Sequence, residues 1–138
     1  MEIFRIVASL AIYNTNTQLL LVQDRTSISK YGEEICLFGG WLDPREMALD
    51  GAKRESMEEL GMVFDEYSYL WEFAHDKEGK VYLRHLFFVP TTQEKFDDME
   101  GDGALWISIE EAKNKKFTSD MTAEFQAIEK YLFEKQKR

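Results

Sequence analysis

The chain opens with apolar runs that are separated by short polar turns. Residues 3–13 are β-branched, aromatic and aliphatic in the main and predict a β-strand. Residues 14–17 carry turn-forming side chains, and residues 18–23 are apolar again, so the two runs predict a hairpin. Residues 24–33 are polar and predict a loop. A short apolar run over 34–38 then predicts a third strand that Gly39 and Gly40 end.

The middle of the chain changes from strand patterns to a helix and back. Residues 46–60 lack strand alternation and are rich in Glu, Ala, Met, Leu, Lys and Arg, so they predict a helix that stops at Gly61. Residues 63–76 and 80–91 are aromatic and β-branched on either side of Lys77-Glu78-Gly79. This arrangement predicts a second hairpin.

The last third contains one more strand pattern and two helix patterns. Residues 104–107 predict a short strand, and Ser108 with Glu111 three residues later forms a capping-box pattern. Residues 120–134 carry apolar side chains at helical spacing. The order β-β-β-α-β-β-β-α-α predicts a mixed α/β fold of the α+β kind, with a substantially antiparallel sheet between helices. We expect residues 1–138 to form a single domain.

Charge and cysteine usage narrow the classes of partner. The net charge of −9 repels a phosphate backbone, so we expect no nucleic-acid partner. The apolar runs are too short to span a bilayer, so we expect no membrane partner, and the start of the chain reads as a strand rather than as a signal peptide. Cys36 is the one cysteine and cannot form a disulfide within the chain, so we expect a reducing, cytoplasmic location.

The strongest chemical signal is a cluster of carboxylates on the predicted helix. Glu55, Glu58 and Glu59 are spaced i, i+3 and i+4, which places their side chains on one helical face. Their mutual repulsion costs helix stability, and a hard divalent cation such as Mg²⁺ removes that conflict and also binds phosphates. Gly51, one turn earlier, is costly in a helix interior, and we expect it to leave room for substrate or metal.

The residues around these carboxylates also fit a site. We expect Arg54 to point away from the cluster and to pair with Glu46, which would tie the preceding loop to the helix. Gly39 and Gly40 suit a sharp turn from strand to loop. The face of the helix that packs on the sheet is expected to be small or apolar and to consist of Leu49, Ala52, Ser56 and Leu60.

This segment resembles the Nudix box, in which a glycine, a glutamate and an Arg-Glu-apolar-X-Glu-Glu-X-Gly-apolar helix recur at fixed spacing. The positions that match are Gly40, Glu46, Arg54, Glu55, Glu58, Glu59, Gly61 and Met62. Ser56 departs from the family, which usually has a larger aliphatic residue there, and predicts altered packing without loss of metal binding. The resemblance implies the Nudix fold, a mixed β-sheet sandwiched between helices.

The resemblance also implies a mechanism and roles for individual residues. Nudix hydrolases, which include MutT-like enzymes, cleave a nucleoside diphosphate linked to another group by attack of water at phosphorus. Glu58 and Glu59 are then the principal ligands of Mg²⁺ or Mn²⁺, with the Gly40 carbonyl completing the coordination. Glu55 is a further ligand or the general base, and Glu100, in an acidic loop, is the other candidate for the base. Glu46 and Arg54 hold the loop, and a homodimer is left open.

Three residues outside the carboxylate cluster are candidates for binding substrate. Arg84 could meet a phosphate or carboxylate of the substrate, or form a surface salt bridge. Phe38 and Trp41 flank the glycines and could stack on a base, although aromatic residues more often serve packing. His75, close to a turn, is expected on the surface.

The expected activity is a metal-dependent pyrophosphohydrolase acting on a small nucleotide-type substrate. Candidate substrates are nucleoside triphosphates, oxidised ones among them, and nucleotide sugars or ADP-ribose. A catalytically silent Nudix-fold sensor that binds a nucleotide is the alternative, and the intact set of glutamates argues against it. An isomerase of diphosphate esters is a third hypothesis for the function. That chemistry needs cysteine and histidine groups, and this chain has few of either.

Overall fold

The structure, a computed structural model, describes residues 2–30, 32–96, 103–117 and 119–136. Within these residues, seven strands form one sheet with the order β3-β2-β1-β6-β5, to which β4 adds by pairing with β1 and β7 by pairing with β2. The strands are β1 (Ile3–Asn14), β2 (Leu19–Asp24), β3 (Ile35–Cys36), β4 (Phe38–Trp41), β5 (Ser68–Lys77), β6 (Lys80–Thr91) and β7 (Ala104–Ile107). The helices are α1 (Ala48–Leu60), α2 (Ile109–Lys113) and α3 (Thr122–Gln136).

The long strand β1 organises the sheet because both of its faces are buried. Successive side chains of a strand point to opposite faces. Ala8, Leu10 and Ile12 accordingly join one apolar cluster with residues of α1, while Ala11 and Tyr13 join a second cluster with residues of α2 and α3. The sheet therefore lies between α1 on one face and α2 and α3 on the other, as the α+β prediction requires.

Pairing in the sheet is antiparallel except between its two longest strands. β1 runs parallel to β6, from Ile3 opposite Val81 to Asn14 opposite Thr91. The remaining pairs, β1 with β2 and β4, β2 with β3 and β7, and β5 with β6, are antiparallel. The expectation of a substantially antiparallel mixed sheet is confirmed.

The turns and caps predicted from local sequence are present. The Asn14 side-chain oxygen accepts hydrogen bonds from the amides of Asn16 and Thr17 and fixes the first turn. In the second hairpin, Glu78 and Gly79 both adopt positive φ, of 54° and 76°, which is the geometry of a two-residue turn that matches strand twist. The Ser108 hydroxyl accepts from the Glu111 amide at 3.0 Å and caps α2.

The prediction of one strand over 34–38 that the glycines end is wrong. β3 pairs with β2, whereas β4 pairs with β1, so the chain changes partner after Cys36. Gly39 and Gly40 lie inside β4, opposite Ser9 and Ala8 of β1. A Cβ on Gly39 would overlap the Ala8 carbonyl oxygen, so this glycine permits close approach of two strands and not a turn.

Helix α1 begins at Ala48, two residues later than predicted. Glu46 stays in the loop because its amide bonds to the Asp43 carbonyl and its carboxylate accepts the Asp43 amide. At the other end Gly61 has φ 76° and its amide bonds to the Met57 carbonyl, so the predicted stop is confirmed.

The packed face of α1 differs from the prediction at one position. Ala52, Ser56 and Leu60 are buried as expected, but Leu49 is 42% exposed. Position 56, where the family usually has a larger aliphatic residue, carries a serine that packs against Tyr67. The Tyr67 hydroxyl donates a hydrogen bond to Ser56 Oγ at 2.9 Å. The Ser56 hydroxyl in turn donates to the Ala52 carbonyl at 2.8 Å.

In the described parts of the chain, no helix has the length and apolar character needed to cross a membrane.

Candidate active site

The last two turns of α1 present Glu55, Glu58 and Glu59 as the sequence predicts. Glu55 is 9% exposed and Glu59 is 5% exposed, whereas half of the Glu58 side chain is exposed. Carboxylates are seldom so buried unless they are paired or bind a cation. The cluster therefore extends from the protein interior, at Glu55 and Glu59, to the solvent at Glu58.

Strand β4 brings two backbone groups against the buried carboxylates. The Gly39 amide donates to Glu59 Oε1 at 2.8 Å. At the next residue, a Cβ on Gly40 would lie 2.6 Å from the Glu55 carboxyl carbon. A side chain at position 40 would therefore displace the Glu55 carboxylate from its place against β4.

Arg54 is the centre of the ionic contacts in this region. Its guanidinium makes a two-pronged contact with Glu46, from Nε to Oε2 and from Nη2 to Oε1, both at 2.9 Å, as predicted. The expectation that Arg54 points away from the cluster is wrong, because Nη1 donates to Glu55 at 2.9 Å and to Glu58 at 3.2 Å. Nη2 also donates to the Trp41 carbonyl at 2.9 Å, so one side chain connects β4, the loop and α1.

The loop before α1 is held by the same pair of charges. The Arg54 guanidinium, together with the Asp43 amide, lowers the pKa of Glu46 to about 2. The hydrogen bonds to Glu46 in turn raise the pKa of Arg54. Both groups therefore stay ionised at neutral pH, and the loop is fixed to the helix that carries the cluster.

The prediction that Gly51 leaves room for substrate or metal is wrong. A Cβ at this position would overlap Leu42 Cδ2 and would lie 3.1 Å from Glu46 Oε1. The space beside Gly51 is thus filled by the loop and is not open to metal or substrate. The absence of a side chain lets the loop pack directly against α1.

The donor set of the cluster fits a hard divalent cation, because carboxylate and carbonyl oxygens are the ligands that Mg²⁺ prefers. The side chains do not converge on one point, however. Among the described residues, no group of three or more His, Cys, Asp or Glu side chains stands ready to hold a metal. Arg54 draws Glu55 and Glu58 toward itself, so ligation by these residues requires their carboxylates to turn away from the guanidinium.

A pocket of about 300 Å³ lies on the side of β4 away from the cluster, and we call it the Arg84 pocket. It is lined by backbone and side chains of β1, β4, the β5–β6 hairpin and the segment before α3, among them Gly39, Gly40, Trp41, His75, Tyr82 and Arg84. The Phe38 ring is only 1% exposed and packs in the core with α1. Of the two roles predicted for Phe38, stacking on a base or packing, the structure shows packing. Trp41 is 53% exposed.

Arg84 forms a salt bridge, one of the two roles predicted for it, but the bridge is buried and not on the surface as predicted. Its Nη2 lies 2.6 Å from Glu124 Oε2, and the exposed fractions of the two side chains are 11% and 3%. Burial lowers the pKa of Arg84 and raises that of Glu124, while each charge opposes the shift of the other. Glu124 was missed by sequence reasoning, although its position next to Phe125 and four residues before Ile128, both buried in α3, was a signal of burial.

His75 also differs from its surface prediction. It is half-buried and stacks on Tyr82, with ring centroids 5.1 Å apart and planes 13° from parallel. Burial lowers the pKa of His75 to about 4, and the nearby Arg84 acts in the same direction. The histidine is therefore neutral at pH 7. Glu100, the other candidate for the general base, lies outside the described residues.

Comparison with known proteins places the whole arrangement in one family. A family model described as the NUDIX domain matches residues 3–126. No match is found among the curated proteins.

Solved structures with the same fold are numerous and distant in sequence. The MutT protein of Methanosarcina mazei Go1 has a TM-score of 0.75 at 18% identity, over 97% of this chain and 96% of that one. The NUDIX domain of Shewanella oneidensis NrtR, solved with ADP ribose, has a TM-score of 0.78 at 11% identity, over 96% and 90% of the two chains. The dihydroneopterin triphosphate pyrophosphohydrolase of E. coli has a TM-score of 0.72 at 16% identity, over 96% and 99%.

These structures share the mixed sheet between helices, and the family match includes both the carboxylate cluster and the Arg84 pocket. The predicted fold and family are therefore confirmed. The chain belongs to the NUDIX domain family.

Proposed function

We propose that the protein hydrolyses a diphosphate linkage in a small nucleotide, with Mg²⁺ or Mn²⁺ held by Glu55, Glu58, Glu59 and the Gly40 carbonyl. The observation that carries the proposal is the burial of Glu55 and Glu59 against the backbone of Gly39 and Gly40. Three carboxylates on one helical face repel one another, and a divalent ion would offset that repulsion.

Each residue has a part that follows from its position. Glu59 is fixed by the Gly39 amide, and Glu58 lies at the solvent side, where it can reach both metal and phosphate. A bound divalent cation would neutralise charge on the phosphate oxygens and lower the pKa of water. Glu46 and Arg54 position the loop. Two residues are candidates for accepting a proton from the attacking water: Glu55, and Glu100, which lies outside the described residues.

The proposal for the substrate stays with nucleoside triphosphates and other nucleoside diphosphate derivatives. The E. coli neighbour is by its name a pyrophosphohydrolase of a triphosphate, and the Shewanella neighbour was solved with ADP ribose. The Arg84 pocket, next to the cluster across β4, has the size of a small-molecule site. We take residues 1–138 to act as one domain, with support from a family match over residues 3–126.

The direct experiment is a product analysis. The purified protein is incubated with nucleoside triphosphates, nucleotide sugars, ADP-ribose and dinucleoside polyphosphates, with Mg²⁺, with Mn²⁺ or with a chelator. We expect a nucleoside monophosphate to be released only in the presence of metal. Cleavage that continues in the chelator would contradict the metal requirement. Release of inorganic phosphate together with a nucleoside diphosphate would contradict cleavage between the first and second phosphates of the nucleotide.

A nucleotide sensor without catalysis is the second candidate, and one observation favours it. Arg54 engages Glu55 and Glu58, so the carboxylates do not converge as metal ligands. A protein that binds nucleotides from the same panel, measured by a rise in melting temperature, yet leaves all of them intact with either metal would support the sensor and contradict the hydrolase.

A further inference from the structure

Another pocket lies at the end of the sheet where β1 begins, and we call it the Arg5 pocket. It has a volume of about 630 Å³ and is lined by residues 3–6 of β1 and by residues 41–46, which lead into α1. Glu55, Glu58 and Glu59 are absent from its lining. The pocket is therefore distinct from the carboxylate cluster.

Two arginines that have no carboxylate partner line this pocket. The described residues contain five arginines, and three of them, Arg25, Arg54 and Arg84, pair with carboxylates. Arg5 and Arg45 form no ion pair within the described part of the chain, and both line the Arg5 pocket. The chain has 26 acidic and 17 basic residues, so a shortage of carboxylates does not explain these two unpaired cations.

Arg5 is held in place by two aromatic rings. The central carbon of its guanidinium lies 4.4 Å from the centre of the Phe4 ring and 4.6 Å from the centre of the Trp41 ring. Nη1 donates to the Phe4 carbonyl at 3.0 Å, and Nε and Nη2 have no hydrogen-bond partner among the described residues. A guanidinium that stacks on rings keeps the donors in its own plane for an anion.

Arg45 reaches the same pocket from a backbone that is fixed on both sides. Its φ is 65°, a left-handed conformation that residues with a side chain seldom adopt and that is most often found at ligand sites. The Leu42 amide donates to the Ile6 carbonyl at 2.8 Å, and Glu46 is bound by Arg54 at 2.9 Å. The Arg45 side chain is exposed and has no partner within the residues described.

The wall of the pocket at the start of β1 is apolar. Ile3, Ile6 and Trp41 line it, and they are 47%, 37% and 53% exposed. Apolar walls with a few polar groups are the common form of a small-molecule pocket. A ligand of this pocket is therefore expected to have an apolar or aromatic body.

The charges of the pocket fit an anion that carries more than one charge. Asp43 and Glu46 also line the pocket, but Arg54 binds both of them, at 3.4 Å and 2.9 Å. Arg5 and Arg45 are left to meet the ligand. A phosphate monoester carries about 1.5 to 2 negative charges at neutral pH and has three acceptor oxygens, so it can engage two guanidinium groups at once.

We propose that the Arg5 pocket binds a small phosphate monoester with an apolar or aromatic body. The phosphate lies against Arg5 and Arg45, and the body lies against Trp41 and the apolar wall of β1. The site is separate from the carboxylate cluster and needs no metal, so it does not depend on hydrolysis. A small ligand is favoured over a nucleic acid or an anionic membrane because the net charge of −9 repels an extended polyanion.

Phenyl phosphate is the probe, because it has the phosphate and the ring but no nucleobase. It is titrated into the full chain in the presence of a chelator, and binding is followed by the amide resonances in NMR spectra. We expect shifts in residues 3–6 and 41–46 and an affinity about tenfold higher than that for inorganic phosphate, because the ring leaves water.

Three variants locate the phosphate. Arg5→Met and Arg45→Met are each expected to weaken phenyl phosphate binding about tenfold, as the loss of a hydrogen bond between charged groups does. Arg45 has no partner in the described chain, so its variant keeps the test valid even if Arg5→Met does not fold. Lys95→Met removes the same charge from an exposed residue beyond the other end of β6 and should leave the affinity unchanged.

Four results would overturn the proposal. They are no binding of phenyl phosphate, equal affinities for phenyl phosphate and inorganic phosphate, full affinity in both arginine variants, and binding that requires Mg²⁺ and is lost in Glu59→Gln. The last result would place the phosphate at the carboxylate cluster. Sedimentation of the protein with phosphatidylserine vesicles that needs Arg5 and that phenyl phosphate does not reverse would identify a membrane contact and would also overturn it.

Discussion

The Gly39 amide donates a 2.8 Å hydrogen bond to Glu59 Oε1, and this bond joins the centre of the sheet to the carboxylate cluster of α1. The bond exists because Gly39 lies inside β4, directly opposite Ser9, with φ 134°. That conformation is closed to residues with a side chain, so the geometry of the candidate site depends on a glycine in a strand.

Gly39→Ala is expected to lower the free energy of unfolding by more than about 2 kcal/mol, since the methyl group would overlap the Ala8 carbonyl and the φ value is strained for alanine. Urea denaturation followed by circular dichroism measures the change. Gly79→Ala is the matched control, because Gly79 also has positive φ, 76°, but a Cβ there would have no atom of the described residues within 4 Å. Its cost should be only about 1 kcal/mol. Equal losses in the two variants would contradict the close approach of β4 to β1.

Arg54→Lys is expected to reduce the rate of nucleotide hydrolysis by about tenfold to a hundredfold, the range found for residues that orient metal ligands. Lysine keeps the charge but cannot make the two 2.9 Å contacts with Glu46 while also reaching Glu55. Steady-state kinetics with Mg²⁺ measures the loss. Lys113→Met, which removes a surface ion pair with Glu129, should leave the rate unchanged. A rate for Arg54→Lys equal to that of the control would show that the loop needs no such anchor.

His75 makes the stability of the protein depend on pH in a defined window. Its pKa is about 4 in the folded protein and 6.5 for the ordinary group, so the unfolded chain binds the proton more readily. The contribution is therefore complete above pH 6.5 and is lost as the pH falls toward 4. The free energies of unfolding of the wild type and His75→Gln, measured from pH 8 to pH 4, should converge as the pH falls. A constant difference across this range would contradict the burial of a neutral histidine.

Tyr67→Phe is expected to cost about 1–3 kcal/mol of stability, because the hydroxyl accepts the Phe64 amide at 3.0 Å and donates to Ser56 Oγ. A double-mutant cycle with Ser56→Ala, measured by thermal or chemical unfolding, should give a coupling of about 1 kcal/mol. Additive losses would mean that the two hydroxyl groups do not stabilise each other.

Features that depend on local sequence were predicted well. The Ser108 cap, the turn at Glu78 and Gly79, and the shared face of the helical glutamates follow from residues within a few positions of one another. The pairing of Arg54 with Glu46, which ties the loop to the helix, was also predicted and is confirmed.

The features that were missed depend on contacts between distant parts of the chain. The strand pairing of Gly39 is decided by β1, and the need for Gly51 is decided by the position of Leu42. The buried pair of Arg84 and Glu124 joins β6 to α3, and neither local pattern could show that the two side chains meet. Leu49 lies in the first turn of α1 and is 42% exposed, so its apolar side chain alone did not indicate which side of that turn is packed.

Glu59→Gln tests whether the buried carboxylates of α1 carry metal-dependent hydrolysis. The variant keeps the size of the side chain and an oxygen for the Gly39 amide but removes the charge. With Mg²⁺ and the substrate identified by product analysis, we predict that kcat falls at least about a hundredfold. Asp65→Asn, on an exposed residue outside the cluster, should leave kcat unchanged. A Glu59→Gln protein that releases the nucleoside monophosphate at the rate of the Asp65→Asn control would contradict the assignment of the site.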